Sequence, residues 1–325
     1  MRLSVLDQSP IPEGGDGGQS LRNSLELAAL ADRLGYHRFW MAEHHATPSL
    51  ASASPEIMLS AVGRETSRIR IGTGGVMLPH YSPFKVAESF SMLAGLFPGR
   101  VDLGLGRAPG SDQLTAYALQ QDRRQRLPME FPQQVQELLA YYDKALPDQH
   151  PFRHLAHSLP GGEAQPDIWI LGSSPDSADL AGALGLPYCI ADFIAGEVPH
   201  LADRYRAAFR PSPRAPAPQL IVTCWVVAAD SSADAQWLAG PSRMMFAHLN
   251  QGQLIAVPSP DKAADWLAHN PSPMPSNRRP IIGSAAECRS ALEARAALYG
   301  ADEMMMVNIL HGHADRVHSY ELMAA

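Results

Sequence analysis

Residues 69–112 decide the fold, and they read IRIGTGGVMLPHYSPFKVAESFSMLAGLFPGRVDLGLGRAPGSD. The stretch contains two short apolar segments, each interrupted by glycines near its C-terminal end, with a helical segment between them. Strand, helix and strand in this order are the signature of a parallel βαβ unit. Glycines at strand ends leave room for a ligand to approach the backbone. We therefore expect a ligand beside these strands, close to Arg107, which follows the second one.

The same alternation extends along the whole chain and predicts eight strands separated by helical segments, at residues 3–6, 38–42, 69–75, 101–105, 167–171, 186–191, 219–229 and 303–309. Such alternation favours a parallel sheet with helices outside it, and eight units fit a TIM (β/α)8 barrel. We interpret the proline-rich, polar residues 251–279 as an insertion before the last strand, and residues 1–325 as one domain. A doubly wound open sheet is the competing architecture, which the lack of a GxGxxG after the first strand weakens.

Composition excludes several classes of protein. The chain has 325 residues, is 46% hydrophobic and carries a net charge of −7, which disfavours nucleic acid and anionic membranes as partners. Its longest apolar run, residues 220–229, is far too short to span a membrane, and proline and glycine come too early for a signal peptide. Three scattered cysteines form neither a disulfide framework nor a zinc motif, so a reducing, cytoplasmic location fits best.

In a TIM barrel the chemistry lies at the C-terminal ends of the strands. The second strand leads into Glu43-His44-His45. Adjacent histidines on an extended segment point to opposite sides, so together they are poor metal ligands. One of them can still face the barrel mouth as an acid, a base or a hydrogen-bond donor. The alternative is an ordinary loop histidine beside a structural glutamate.

Glycines recur at the ends of the third and fourth strands. Gly72 and Gly74 alternate on one face of the third strand, as Gly104 and Gly106 do on the fourth. A flat ligand lying on the backbone requires small residues there, but tight barrel packing or a bulge requires them equally. Arg107 at the rim can bind phosphate with two hydrogen bonds, or form only a surface salt bridge.

Hydroxyl groups follow the fifth strand, at Ser173, Ser174 and Ser177. Hydroxyls and free N–H groups at a helix N-terminus form an anion site. On its own, the pattern Ser-Pro is more typical of an ordinary helix start. His311 and His313 follow the eighth strand as His-x-His, but no carboxylate accompanies them, so we favour exposed or capping histidines and predict no metal site.

Together, four runs of sequence resemble the bacterial luciferase-like flavin monooxygenases, and most closely their single-chain branch. These runs are FWMAEHH, IRIGTGGVMLPHYSPFKVAE, PGRVDLGLGRAPGSD and WILGSSPDSADLAGALGLP, and the resemblance extends over essentially the whole chain. It implies a TIM barrel, usually a homodimer, that binds reduced FMN delivered by a separate flavin reductase. It further implies reaction with O2 to a flavin C4a-peroxide, which oxidises a small organic substrate.

The resemblance also implies roles for individual residues. His44 matches the catalytic histidine of the family, and Leu6 and Gly106 match positions that line the isoalloxazine ring. Gly74 and Gly75 match the place of a non-proline cis peptide bond beside the flavin.

The phosphate end of the cofactor is expected at Arg107, with hydroxyls from Ser174 and Ser177. Ser173 is also a cofactor-binding candidate, although luciferase has an acidic residue at this position. Gly106 stands where luciferase carries a reactive cysteine, so nothing here argues for light emission.

Two other functions remain open on the same barrel. One is an F420-dependent dehydrogenase, which transfers hydride without oxygen, and the other is a flavin-binding protein without catalysis. The substrate stays equally open among an aldehyde, an alkane-like compound, a sulfonate and an aromatic compound.

Overall fold

The computed structural model describes residues 1–107, 113–119, 130–270 and 278–324. Within these residues the strands are β1 (Arg2–Asp7), β2 (Arg38–Met41), β3 (Arg70–Thr73), β4 (Val76–Met77), β5 (Val101–Gly106), β6 (Asp167–Gly172), β7 (Tyr188–Ile190), β8 (Leu220–Ala229), β9 (Ile281–Ser284) and β10 (Glu303–Val307). All except β4 and β9 form a ring of parallel strands, which closes because β10 pairs with both β1 and β8. The predicted TIM barrel is confirmed.

Helices surround the barrel. In chain order they are α1 (Gly17–Leu34), α2 (Pro55–Glu65), α3 (Pro83–Leu96), α4 (Gln113–Leu119), α5 (Phe131–Tyr142), α6 (Pro175–Ala183), α7 (Asp192–Ala195), α8 (Pro199–Ala208), α9 (Ser232–Leu238), α10 (Gly240–Asn250), α11 (Pro260–His269), α12 (Ala285–Tyr299) and α13 (His313–Ala324). Among the described helices, none has both the length and the apolar character needed to cross a membrane.

Most of the predicted elements lie where the sequence placed them, and β8 shows why its apolar run is so long. All ten residues of this strand are buried. Its first half pairs with β10, and its last four residues pair with β9 instead. Because both halves are covered, no polar alternation appears in the sequence.

The region between β8 and β10 is where the sequence analysis failed. Residues 251–270 contain α11, whose N-cap hydroxyl at Ser259 accepts a hydrogen bond from Lys262 N–H, and α10 and β9 were not predicted at all. Proline begins both helices at positions where its missing N–H costs nothing, so proline content was a poor guide here. Helix α9 begins at Ser232 and is capped by Ser231. Residues 108–112 and 271–277, which the sequence analysis included, lie outside the described residues.

A charged layer fills the N-terminal end of the barrel interior. Asp102 is fully buried and accepts hydrogen bonds from Arg38 (2.7 Å), Trp40 (2.9 Å) and Arg70 (2.6 Å). Glu303, also buried, accepts a further bond from Arg38 at 3.1 Å. Burial lowers the pKa of Arg38, but these two carboxylates more than offset it and leave the pKa raised. The charges at this end are therefore paired within the protein.

Candidate active site

The opposite, C-terminal end of the barrel opens into a cavity of about 490 Å³. Its walls come from the segments that follow β1, β2 and β10, from α7 and α10, and from the region around residues 252–255. Representative lining residues are Gln8, His44, Phe193, Phe246, Arg278 and Ile309. The cavity lies where TIM barrels carry their active sites.

His44 lies in the wall of this cavity, just after β2. Its backbone N–H donates to the Ser52 carbonyl at 2.8 Å, which fixes the segment, but its buried Nδ1 has no hydrogen-bond partner among the described residues. Burial, with a smaller effect of neighbouring His45, lowers the pKa of His44 to about 4. At neutral pH the ring is therefore uncharged, and only about one molecule in a thousand carries the imidazolium form.

His45 lines the same cavity, which corrects the expectation that the two histidines point to opposite sides. Strand β2 ends at Met41, so its alternation no longer governs residues 44 and 45. His45 contacts the fully buried carboxylate of Glu43 through Nε2 at 2.7 Å. Glu43 also accepts hydrogen bonds from the Tyr81 hydroxyl (2.8 Å) and the Met77 backbone N–H (2.9 Å). The buried carboxylate of Glu43 therefore fixes the orientation of the His45 ring.

The strand-end glycines are required by packing. A Cβ atom on Gly72 would lie 2.6 Å from the Asp102 Cβ, and one on Gly104 would lie 2.1 Å from the Thr73 carbonyl oxygen. The sequence left a ligand gap and tight packing both open for these glycines. Neighbouring strands fill the side on which a Cβ would stand at Gly72 and Gly104, which favours tight packing at these two positions.

The pair Gly74–Gly75 is joined by a cis peptide bond, the conformation that the resemblance implied. A Cβ on Gly74 would lie 2.5 Å from Leu6, whose side chain is buried, and one on Gly75 would lie 2.6 Å from a backbone oxygen. Gly106 is less confined, because its nearest neighbour is the flexible Met77 side chain at 3.3 Å. Contact of any of these residues with a flavin stays a prediction.

Arg107 and the N-terminus of α6 lie side by side at the rim. The Arg107 side chain is 59% exposed and makes only a long contact, 3.5 Å, with Asp176 in the first turn of α6. Ser174 caps this helix, and the Ser177 hydroxyl donates to the Ser174 carbonyl at 2.7 Å. The hydroxyls of Ser174 and Ser177 are therefore engaged in a helix start, as the sequence pattern alone suggested. Ser173 is half-buried beside them, and an anion-binding role stays a prediction.

The C-terminal histidines contact different partners. His311 Nδ1 lies 2.9 Å from the Val257 carbonyl, and His313 lies 3.4 Å from Glu26. Over residues 1–107, 113–119, 130–270 and 278–324, no three His, Cys, Asp or Glu side chains form a group that could hold a metal ion.

Two cavity residues with a buried, unpartnered polar atom, Gln8 and Arg278, were missed from sequence. Gln8 is buried two residues beyond the predicted end of the first strand, and its Oε1 has no partner in the described chain. Arg278 lies in the region interpreted as an insertion, with its guanidinium 5.2 Å from the ring centroid of Phe246. Its Nη1 is also buried and without a partner among the described residues. Inspecting strand ends two residues further would have found Gln8, but no local pattern distinguishes Arg278 from an exposed arginine.

Comparison with known proteins agrees with this geometry. Residues 1–317 match the family model described as luciferase-like monooxygenase. The chain belongs to this family. It is 38% identical to a luciferase-like monooxygenase of Escherichia coli strain K12, over 98% of this chain and 95% of that protein. It also resembles the crystal structure of apo-MsnO8, with a TM-score of 0.88 and 39% identity over 99% of this chain and 96% of the other.

Other relatives are named for particular reactions or cofactors. An N-acetyl-S-alkylcysteine monooxygenase of Bacillus subtilis is 33% identical over the whole of this chain and 97% of that protein. Two structures share the fold alone, each with a TM-score of 0.70. One is the oxygenating constituent of 3,6-diketocamphane monooxygenase from Pseudomonas putida in complex with FMN, at 18% identity over 100% of this chain and 97% of the other. The second is an F420-dependent secondary alcohol dehydrogenase, at 15% identity over 98% and 97% of the two chains.

Proposed function

We propose that this protein is a flavin-dependent monooxygenase that uses reduced FMN and O2 to oxidise a small organic substrate. The observation that carries the proposal is an apolar cavity at the barrel mouth, with an uncharged, unpartnered His44 in its wall. Buried polar atoms in proteins nearly always have partners, so an orphaned one in a cavity wall suits a bound ligand. Family membership supplies the reaction class.

The residues at the mouth fit FMN at both of its ends. For the ring, the orphaned atoms of His44 and Gln8 offer hydrogen bonds in apolar surroundings. For the phosphate, Arg107 offers an exposed guanidinium beside the N-terminus of α6. Its contact with Asp176 is exposed and long, and such pairs contribute about 0–1 kcal/mol, so a dianionic phosphate would displace it. Arg107, with Ser174 and Ser177 nearby, would hold that end.

Bound reduced FMN would supply the electrons and the activation of O2. The protein would position it and exclude water through apolar side chains such as Phe193, Phe246 and Ile309. Because His44 is neutral at pH 7, its role would be a hydrogen bond or proton acceptance rather than donation from an imidazolium. The route from O2 to product stays a prediction, which stopped-flow absorbance tests by following the reduced complex after mixing with O2.

We further propose a cytoplasmic, single-domain enzyme that receives reduced FMN from a separate flavin reductase and forms a homodimer. Exposed apolar side chains on two adjacent helices support a self-association surface, namely Ile57 on α2 and Met92 and Leu96 on α3. Light scattering coupled to size exclusion should give twice the chain mass, and Met92→Glu should reduce it. A monomer at micromolar concentration would contradict the dimer.

Anaerobic titration with reduced FMN tests the cofactor. Arg107→Ala should weaken binding roughly tenfold to a hundredfold, because a phosphate loses charge-assisted hydrogen bonds worth about 1.5–3 kcal/mol. Arg153→Ala removes another exposed arginine, next to Asp148, and should bind reduced FMN as wild type does. Equal affinities of wild type and Arg107→Ala would reject the phosphate role.

The same titration separates the alternatives that the barrel leaves open. Binding of reduced F420 in preference to reduced FMN, with anaerobic turnover, would indicate the F420-dependent dehydrogenase. Suppose that reduced FMN binds but that no oxidised product forms from aldehydes, thioethers, sulfonates or aromatic compounds. This result would favour the non-catalytic flavin protein. Incorporation of one labelled oxygen atom from ¹⁸O2 into a product would establish the monooxygenase.

A further inference from the structure

The cavity at the barrel mouth contains one cationic side chain without a counter-charge. Arg278 lines the cavity, and no salt bridge or hydrogen bond from its guanidinium to a described residue exists. None of the described lining residues is Asp or Glu. The carboxylate of Glu43, which contacts His45 of the wall, is already engaged by His45, Tyr81 and a backbone N–H.

Arg278 is half-buried, and its guanidinium has no counter-charge among the described residues. Charged groups removed from water are normally paired, because desolvation is not otherwise offset. Here burial lowers the pKa of Arg278, and no carboxylate opposes the effect. Its guanidinium instead stacks near Phe246, whose ring also packs against Trp225 at 5.1 Å. The stack holds the cation at one place in an otherwise apolar wall.

Other arginines of the chain show the contrast. Arg38 and Arg295, both buried, each contact two carboxylates. Arg243, half-buried on α10, does not line the cavity and donates to Gln236. Arg278 differs from them because it lines a cavity of ligand size, and its buried Nη1 has no acceptor among the described residues.

We propose that the substrate of this enzyme is an anionic organic compound, a carboxylate or sulfonate with an apolar body, whose charged end binds Arg278. This inference rests on the proposed function, since it places the anion in the same cavity as His44. A planar guanidinium forms two parallel hydrogen bonds with such anions, which fixes orientation as well as affinity. The apolar wall then takes the body of the substrate, and Gln8 offers an acceptor for a polar group on it.

Calorimetric titration with matched small ligands tests the proposal. Hexanoate and hexane-1-sulfonate carry the charge, and hexanamide has nearly the same shape without it. Titrations use the flavin-free full chain and, anaerobically, the complex with reduced FMN. Wild type should bind the two anions at least about tenfold more tightly than the amide, because a hydrogen bond to a charged group is worth about 1.5–3 kcal/mol. Arg278→Gln should abolish this preference, Arg278→Lys should retain part of it, and Arg243→Gln should retain all of it.

Several results would overturn the proposal. These are equal binding of hexanoate and hexanamide by wild type, no anion binding in either state, and a preference that survives in Arg278→Gln. Loss of reduced-FMN affinity in Arg278→Gln with an unchanged anion preference would also overturn it, because the arginine would then serve the flavin. Failure of reduced FMN to bind wild type would reject the proposed function. The flavin-free titration would still report on the anion site.

Discussion

The two ends of the barrel differ in whether their buried polar groups have hydrogen-bond partners within the protein. At the N-terminal end, Asp102 and Glu303 are surrounded by donors, and both oxygens of Asp102 are bonded. At the C-terminal end, buried atoms of Gln8, His44 and Arg278 have no partner in the described chain, although they line one cavity. The carboxylates at the first end are paired within the protein, whereas these three atoms at the second end are free to bind a ligand under the proposed function.

This difference separates stability from function within a single barrel. A satisfied buried network stabilises the native state against the loss of any member, because removal leaves the other charges without partners. An unsatisfied polar group costs stability in the free protein and returns that free energy when a ligand binds. Substitutions of the same kind should therefore have opposite effects at the two ends.

The largest effect is expected for Arg38→Met at the paired end. It leaves the carboxylates of Asp102 and Glu303 in the barrel interior without their shared cation. The free energy of unfolding should fall by about 3–5 kcal/mol, as is typical when one partner of a buried ion pair is removed. Urea unfolding followed by circular dichroism measures the change.

The control is Arg204→Met, which removes the same side chain from an exposed pair with Asp179. It should change the free energy of unfolding by less than about 1 kcal/mol. Equal losses in the two variants would show that the interior network contributes no more than a surface pair, and would remove the basis for contrasting the two ends.

At the N-terminal end of the barrel, the strands could be predicted from the sequence, but the ion pairs between them could not. Leu103 and Leu105 alternate with Asp102 and Gly104 in VDLGLG, and both leucines lie in the hydrophobic core. The hydrogen-bond partners of Asp102 come from two other strands, β2 and β3. Pairing across a closed barrel depends on strand register, and no local pattern encodes register between distant segments.

The mouth was predictable in part, for a similar reason. His44 was found because it follows a predicted strand, and inspection of strand ends is a local procedure. Arg278 was missed because it reaches the cavity only through the packing of α10 and the segment before β9. For the strand-end glycines the sequence left a ligand gap and tight packing both open, because it shows that a side chain is absent, but not what occupies its place.

The next largest effect is the pH dependence of stability caused by His44 at the C-terminal end of the barrel. His44 has a pKa near 4 in the folded protein, whereas an unfolded histidine titrates near its ordinary value of 6.5. The unfolded chain therefore binds a proton between these values while the folded chain does not. The contribution of His44 to the free energy of unfolding is therefore present in full above about pH 6.5. It is lost as the pH falls toward 4, and the loss is at most about 3 kcal/mol.

Urea unfolding of wild type and His44→Gln between pH 4.5 and 7.5 isolates this contribution. Ionisable groups distant from His44 are the same in both proteins, so their contributions cancel in the difference. The wild-type curve should fall more steeply toward low pH. Parallel curves would mean that the His44 ring is solvated and that the cavity wall does not hold it neutral.

A smaller effect is expected from Gly104→Ala, in the packed region between the two ends. The new Cβ would stand 2.1 Å from the Thr73 carbonyl oxygen, and backbone cannot move aside cheaply. Overpacking of this kind costs about 1–3 kcal/mol. Gly106→Ala meets only the flexible Met77 side chain at 3.3 Å and should cost less than about 1 kcal/mol. Thermal and urea unfolding of both variants measure the difference, and equal costs would restore the idea of an open gap beside Gly104.

The smallest effect, and the one that decides the comparison, is expected for Arg278→Met. The methionine keeps the apolar stem and can contact Phe246 through its sulfur, while the desolvated cation is removed. Because no described carboxylate loses a partner, the free energy of unfolding should stay the same or rise by up to about 1 kcal/mol. The substitution is chemically identical to Arg38→Met, so a difference in sign measured by the same urea unfolding can only come from the surroundings. A loss comparable to that of Arg38→Met would instead show that Arg278 stabilises the native state. The polar groups at the mouth would then be as well satisfied within the protein as those at the N-terminal end.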